Sequence, residues 1–196
     1  MAHGFDKFLG VTESPETKVT PPAESAPNRT VFVVHGRDMR PVMEIERFLL
    51  FLGLTMMSWS DAVKLTGETQ PHTYDIVKAG MDNASAIVVI FSPDDEARVK
   101  RHFASPGESP DPMGQARQNV LVEAGMAFAQ SRKKTIFVQS EHTRPISDLE
   151  GFNWVSLDGE WDSRQDFIHR LEAAGAQPKP THAQLTHRTA GAFKVA

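Results

Sequence analysis

Short, wholly apolar runs in this chain alternate with longer stretches in which apolar residues recur every three or four positions. Val31 to His35, "VFVVH", is a continuous apolar run suited to a strand covered on both faces. The stretch "DMRPVMEIERFLLFLG" then sets Val42, Ile45, Leu49 and Leu52 at helical spacing, with Asp38 as cap, Pro41 in the first turn and Gly53 as the stop. "LTMMSW" reads as a second, weaker strand. "HTYDIVKAGMDNA" reads as a helix with Ile76, Val77, Gly80 and Met81 inward, and "AIVVIF" (Ala86 to Phe91) is the clearest buried strand. A helix over 115–129 follows, then a strand "KTIFVQ", a short strand "WVSL" and a last helix over 163–173.

Strand and helix alternating in this way predict an α/β fold with a parallel sheet. Five strands suit a flavodoxin-like three-layer sandwich of order 2-1-3-4-5 with helices on both faces. Ligands of such sheets lie beyond the carboxyl ends of the strands, near the switch in strand order. Those ends carry "HGRD" after the first strand, "SPDD" after the third and "QSEH" after the fourth.

The remaining segments lack periodicity. Residues 1–28, with Pro15, Pro21, Pro22 and Pro27 among Glu, Ser and Thr, read as a disordered arm or linker before a domain over 29–175. Residues 176–196 read as a flexible tail, made mildly basic by Lys179, Arg188 and Lys194. Trp59 to Thr73 reads as a long polar loop, a kind of segment that is more often functional than idle.

Composition narrows the chemistry. A hydrophobic content of 40% with 23% charged residues is that of a soluble globular chain, and a net charge of -4 argues against non-specific grip on nucleic acid. With no cysteine there is no disulfide frame, thiolate nucleophile or cysteine-type zinc site. No run approaches the ~20 apolar residues of a membrane span, and "MAHGFDKFLGV" lacks the form of a secretory signal. A cytoplasmic protein is the expectation. Neither phosphate-loop motif is present, nor GxSxG, and His35, His72, His102, His142 and His169 show no metal-ligand spacing, so no metal site is expected.

One residue stands out against this background. Glu123 sits within "QNVLVEAGMAFA", with Asn119 and Val120 one turn before it and Met126 and Ala127 one turn after. An ionised carboxylate removed from water without a partner costs several kcal/mol. Two readings follow: a surface glutamate bonded to Asn119, or a half-buried carboxylate facing a cleft. Asp38 reads first as a helix cap, whereas Arg37 beside Gly36 places a guanidinium where it can hold a phosphate. Ser92 and Asp94 suit a turn and helix start. Trp59 suits either stacking on a flat ring or closing the core's edge.

Taken together, "TVFVVHGRD", "GET", "ASAIVVIFSPDDEA", "ARQNVLVEAGMAFA" and "ISDLEGFNWVSLDG" resemble bacterial TIR-like domains, relatives of Toll/interleukin-receptor domains found as antiphage effectors joined to or paired with a sensor. The resemblance spans about residues 29–175 and implies the flavodoxin-like fold. In many members it also implies cleavage of NAD+, as substrate rather than cofactor, with Glu123 at the catalytic position. It puts His35, Gly36, Arg37 and Asp38, with Ser92, Asp94, Trp59 and Asn119, at the nucleotide cleft. The segment 59–71 matches a loop that often completes a neighbouring copy's site, so homo-oligomerisation is implied. The products would be nicotinamide and ADP-ribose or a cyclic ADP-ribose. Two other readings stand beside this one: a TIR scaffold without catalysis, and a nucleoside deoxyribosyltransferase, which also directs a glutamate at a ribose carbon.

Overall fold

The computed structural model describes residues 28–179 and 192–195. Among the described residues, seven strands and five α-helices follow one another: β1 (Thr30–Val34), α1 (Met39–Phe51), β2 (Thr55–Met56), α2 (Trp59–Thr66), α3 (Thr73–Asn83), β3 (Ala86–Phe91), β4 (Asp95–Ala97), β5 (Met113–Gln115), α4 (Gln118–Ser131), β6 (Thr135–Gln139), β7 (Val155–Ser156) and α5 (Trp161–Ala174). Five strands form a parallel sheet of order β2-β1-β3-β6-β7, while β4 and β5 pair antiparallel outside it. With that hairpin set aside, the order is the expected 2-1-3-4-5.

The sheet is dry on both faces because its central strands are apolar at successive positions. Val31 and Val33, with Val88 and Ile90, meet α1 and α5 on one side. Phe32 and Val34, with Ile87, Val89 and Phe91, meet α2, α3 and α4 on the other. Each fully buried side chain of this size contributes about 1.5–3 kcal/mol, so β3, buried along its whole length, anchors the domain.

Helix ends follow local chemistry. Asp38 caps α1 by accepting the Arg40 N–H at 2.9 Å. The same helix ends in a Schellman turn, with Gly53 at φ +69°, its N–H on the Leu50 carbonyl at 3.0 Å and the Leu54 N–H on the Leu49 carbonyl at 2.9 Å. As the spacing predicts, Ile76, Val77, Gly80 and Met81 are the buried residues of α3.

Three local expectations are corrected. The polar loop expected over Trp59–Thr73 is largely α2, capped by Ser58, whose Oγ accepts the Asp61 N–H at 3.1 Å, and ended by Gly67 at φ +70°. Ala62 is its only buried residue, so the helix has almost no apolar stripe to betray it. "SPDD" starts no helix: it turns into the hairpin β4–β5, and Met113–Gln115 are extended, so α4 begins three residues later than the 115–129 spacing suggests. The end of the chain also differs from a flexible tail where it is described. The Lys179 N–H bonds the Leu52 carbonyl at 2.8 Å, and Phe193 is fully buried against Phe48 and Phe167, at centroid distances of 4.8 and 5.2 Å. At the other end, Asn28 is tied to the domain through the Asn83 carbonyl at 2.7 Å. The rest of both segments lies outside the described residues.

Candidate functional site

The carboxyl ends of β1 and β3 carry two turns that grip each other. After β1 the chain runs through His35, Gly36, Arg37 and Asp38 into α1, and after β3 through Ser92, Pro93 and Asp94 into β4. Asp94 Oδ2 accepts the backbone N–H groups of Arg37 and, at 3.4 Å, of Asp38, while its Oδ1 accepts the Ser92 hydroxyl at 2.5 Å. Gly36 fits because a Cβ at that position would overlap the Asp94 carboxylate. Six residues singled out from sequence therefore belong to one cluster.

Within it each side chain has a definable state. Asp38 is clasped by Arg40 through Nε and Nη2, at 3.0 and 2.6 Å, and this guanidinium holds the Asp38 carboxyl below the usual aspartate range. Sequence reasoning singles out Asp38 but not Arg40, whose pairing depends on a side-chain conformation. His35 Nδ1 lies 2.9 Å from the Gly36 carbonyl oxygen, which suits the tautomer protonated at Nδ1 and leaves Nε2 without a partner among the described residues. Arg37 is exposed, and its guanidinium has no partner among the described residues.

Helix α4 supplies the carboxylate. It returns antiparallel to β3 and β6, so its first turns lie toward the carboxyl edge of the sheet. Val120, Ala124 and Ala127 face inward. Gly125 and Ala129 are exposed. At 100° per residue, Leu121 and Phe128 fall on one flank, where Phe128 meets Phe137 of β6 and Phe152 at 6.2 and 5.0 Å. Asn119 and Glu123 fall on the opposite flank, toward β1 and α3, both of which α4 touches. Glu123 is half-buried and makes no hydrogen bond or ion pair with any described residue; Asn119 is exposed and does not bond it. The Asn119–Glu123 bond, one of the two readings of the sequence, is therefore not formed. Desolvation by the packed helix surface raises the Glu123 carboxyl above the ordinary glutamate value.

Trp59 starts α2 just beyond the carboxyl end of β2 and is half exposed, without a ring contact among the described residues. Among the described residues, concavities lie at other places. One of about 190 Å³ sits beside Gln139, Thr143 and Trp154, one of about 230 Å³ beside Gln115, Leu121 and Ile146, and one of about 450 Å³ beside Thr55, Met57 and Leu65. The largest of these is lined by Asp61 and Lys64, already paired with each other at 2.9 Å, so its charges are spent. Among the described residues, Glu123 is an unpaired, half-buried carboxylate with a raised pKa, and this makes it the candidate reactive group.

Comparison with known proteins bears on the same region. The family model described as "CAP12/Pycsar effector protein, TIR domain" matches residues 30–159, which include β1, the Asp94 turn and α4. An uncharacterized protein of Escherichia coli (strain K12), YuaY, is 26% identical over 172 residues, covering 87% of this chain and 52% of its own length. The chain thus spans about half of that relative.

Proposed function

The chain belongs to the CAP12/Pycsar effector TIR-domain family of bacterial antiphage effectors, and on that premise we propose that it cleaves the nicotinamide–ribose bond of NAD+. The observation that supports this is Glu123, a half-buried carboxylate with raised proton affinity and no partner among the described residues.

The chemistry suits a single carboxylate. Most enzymes that break sugar–oxygen bonds use a second, acidic carboxyl to protonate an alcohol leaving group. Nicotinamide in NAD+ is already cationic. When the C1′–N bond breaks, the nitrogen keeps the electron pair and nicotinamide departs neutral. The positive charge passes to the ribose, where an ionised Glu123 in a poorly solvated groove stabilises it. Water then bonds to C1′ and loses a proton, giving ADP-ribose, and the raised pKa of Glu123 equips it to take that proton. Capture of the cation by a group within the substrate gives the cyclic product instead.

In this reading the turn from His35 to Asp38, held by Ser92 and Asp94, lines the nucleotide crevice, with Asn119 and Trp59 at its margins. Exposed Trp59 and Leu65 on α2 suit contact with a second copy, which would cover the open groove and exclude water. A sensor joined to or paired with the domain would then drive that association. The direct test is nicotinamide release from NAD+ by the purified chain, followed by proton NMR at low and very high protein concentration. NAD+ left intact at every concentration and under assembly-promoting conditions would favour a scaffold.

A further inference from the structure

The paired turns beyond β1 and β3 carry an anion of their own. Asp94 joins the ends of β1 and β3, the neighbours at which the strand order reverses. Open α/β sheets take ligands at that position, and backbone N–H groups ahead of a helix N-terminus are a common seat for a substrate phosphate. Here the N–H groups of Arg37 and Asp38, just ahead of α1, are already turned onto the Asp94 carboxylate. Gly36 lets that carboxylate lie flat against the backbone, and the Ser92 hydroxyl fixes its other oxygen at 2.5 Å. Asp38 adds a second carboxylate at the same helix end, and its charge is matched by Arg40 at 2.6 Å.

Resting on the proposed cleavage of NAD+, we infer that Asp94 is a specificity-determining residue. Its carboxylate holds the amide seat against the substrate's diphosphate and leaves the space beyond β1 and β3 to the cationic nicotinamide end. A phosphate brought to this seat would stand beside a like charge with its hydrogen-bond donors already taken. The pyridinium ring meets the opposite sign. The diphosphate then runs outward, where Arg37 offers an unengaged guanidinium at the rim.

Inorganic phosphate titrated into the full chain tests the seat without turnover, with the amide signals of Gly36, Arg37 and Asp38 followed in proton–nitrogen correlation spectra. Asp94→Ser removes the carboxylate and opens the seat, while Asp94→Asn removes the charge and keeps the shape. Phosphate should bind these amides at least about tenfold more tightly in Asp94→Ser than in the wild type, with Asp94→Asn between them. Equal binding in the wild type and Asp94→Ser would overturn the inference. So would an absence of gain in an Asp94→Ser chain whose remaining signals keep their wild-type positions. If the serine variant does not fold, Asp94→Asn decides by the same comparison.

A second readout uses turnover. Asp94→Ser should raise KM for NAD+ more than it lowers kcat, and should be inhibited more strongly by ADP-ribose, whose diphosphate gains the vacated seat. Unchanged inhibition by ADP-ribose would overturn the inference. A wild type that never releases nicotinamide would sink the NAD+ reading alone, because the phosphate titration still decides who owns the seat.

Discussion

Glu123 lies one helical turn before Ala127 on the same side of α4: the alanine is fully buried against the sheet, and the glutamate beside it has no hydrogen-bonding partner among the described residues. A chain that places a carboxylate there accepts a stability cost, and that cost has a definite pH dependence. Desolvation raises the Glu123 pKa above its ordinary 4.5, so the ionised form is disfavoured in the folded state. The unfolded chain releases this proton at the lower pH. Stability contributed at this position therefore falls as pH rises from the ordinary value through the raised one, and stays lower above it. Glu123→Gln should unfold at higher urea concentration than the wild type at about pH 7, with the difference gone at about pH 4. A gain of equal size at both pH values would show that ionisation is not its cause.

Three glycine positions differ in what a methyl group would meet. A Cβ on Gly36 overlaps Asp94, and one on Gly80 overlaps the Phe32 ring, so alanine at either should cost about 1–3 kcal/mol in chemical denaturation. Gly125 has open space at its Cβ position within α4, so Gly125→Ala should stabilise the fold by about 1 kcal/mol. A stable Gly36→Ala protein with full activity would show that the Asp94 grip is dispensable.

Phe193 closes the core between α1 and α5. Phe193→Ala should cost about 3–5 kcal/mol in urea unfolding, as for other large aromatic truncations. Phe103, 73% exposed, is the control, and Phe103→Ala should change stability by no more than about 0.5 kcal/mol. Similar values for the two would remove the chain's end from the core.

Much of this architecture is legible in the sequence because burial leaves periodic marks. The apolar run of β3 and the inward set of α3 are examples, and both carry the residues expected of them. The strand order follows from the alternation of elements and the handedness of parallel connections. The hairpin β4–β5 leaves no such mark, since three-residue strands lying outside the main sheet need no apolar alternation. In α2 a local signal exists, the Ser58–Asp61 cap, but a helix with one buried residue gives the periodicity nothing to show. Glu123 is conspicuous in sequence because its neighbours are apolar. The bond from Asp94 to Arg37 is not, since it joins positions far apart and depends on how closely two turns approach.

If a second copy completes the groove, nicotinamide release should rise faster than linearly with protein concentration. Trp59→Ala, which removes half-exposed apolar surface from α2, should shift that dependence to higher concentration while leaving the fold unchanged. Strict proportionality between rate and concentration would instead indicate a complete site in each chain.

The most direct measurement is nicotinamide release from NAD+ by proton NMR, comparing the wild type with Glu123→Gln at equal, high concentration. The account predicts turnover in the wild type and a loss of about a hundred- to a thousandfold in the variant, the scale set by removing a group that stabilises transition-state charge. The variant should keep the wild-type fold in its amide spectrum. Turnover retained by a correctly folded Glu123→Gln protein would contradict the account.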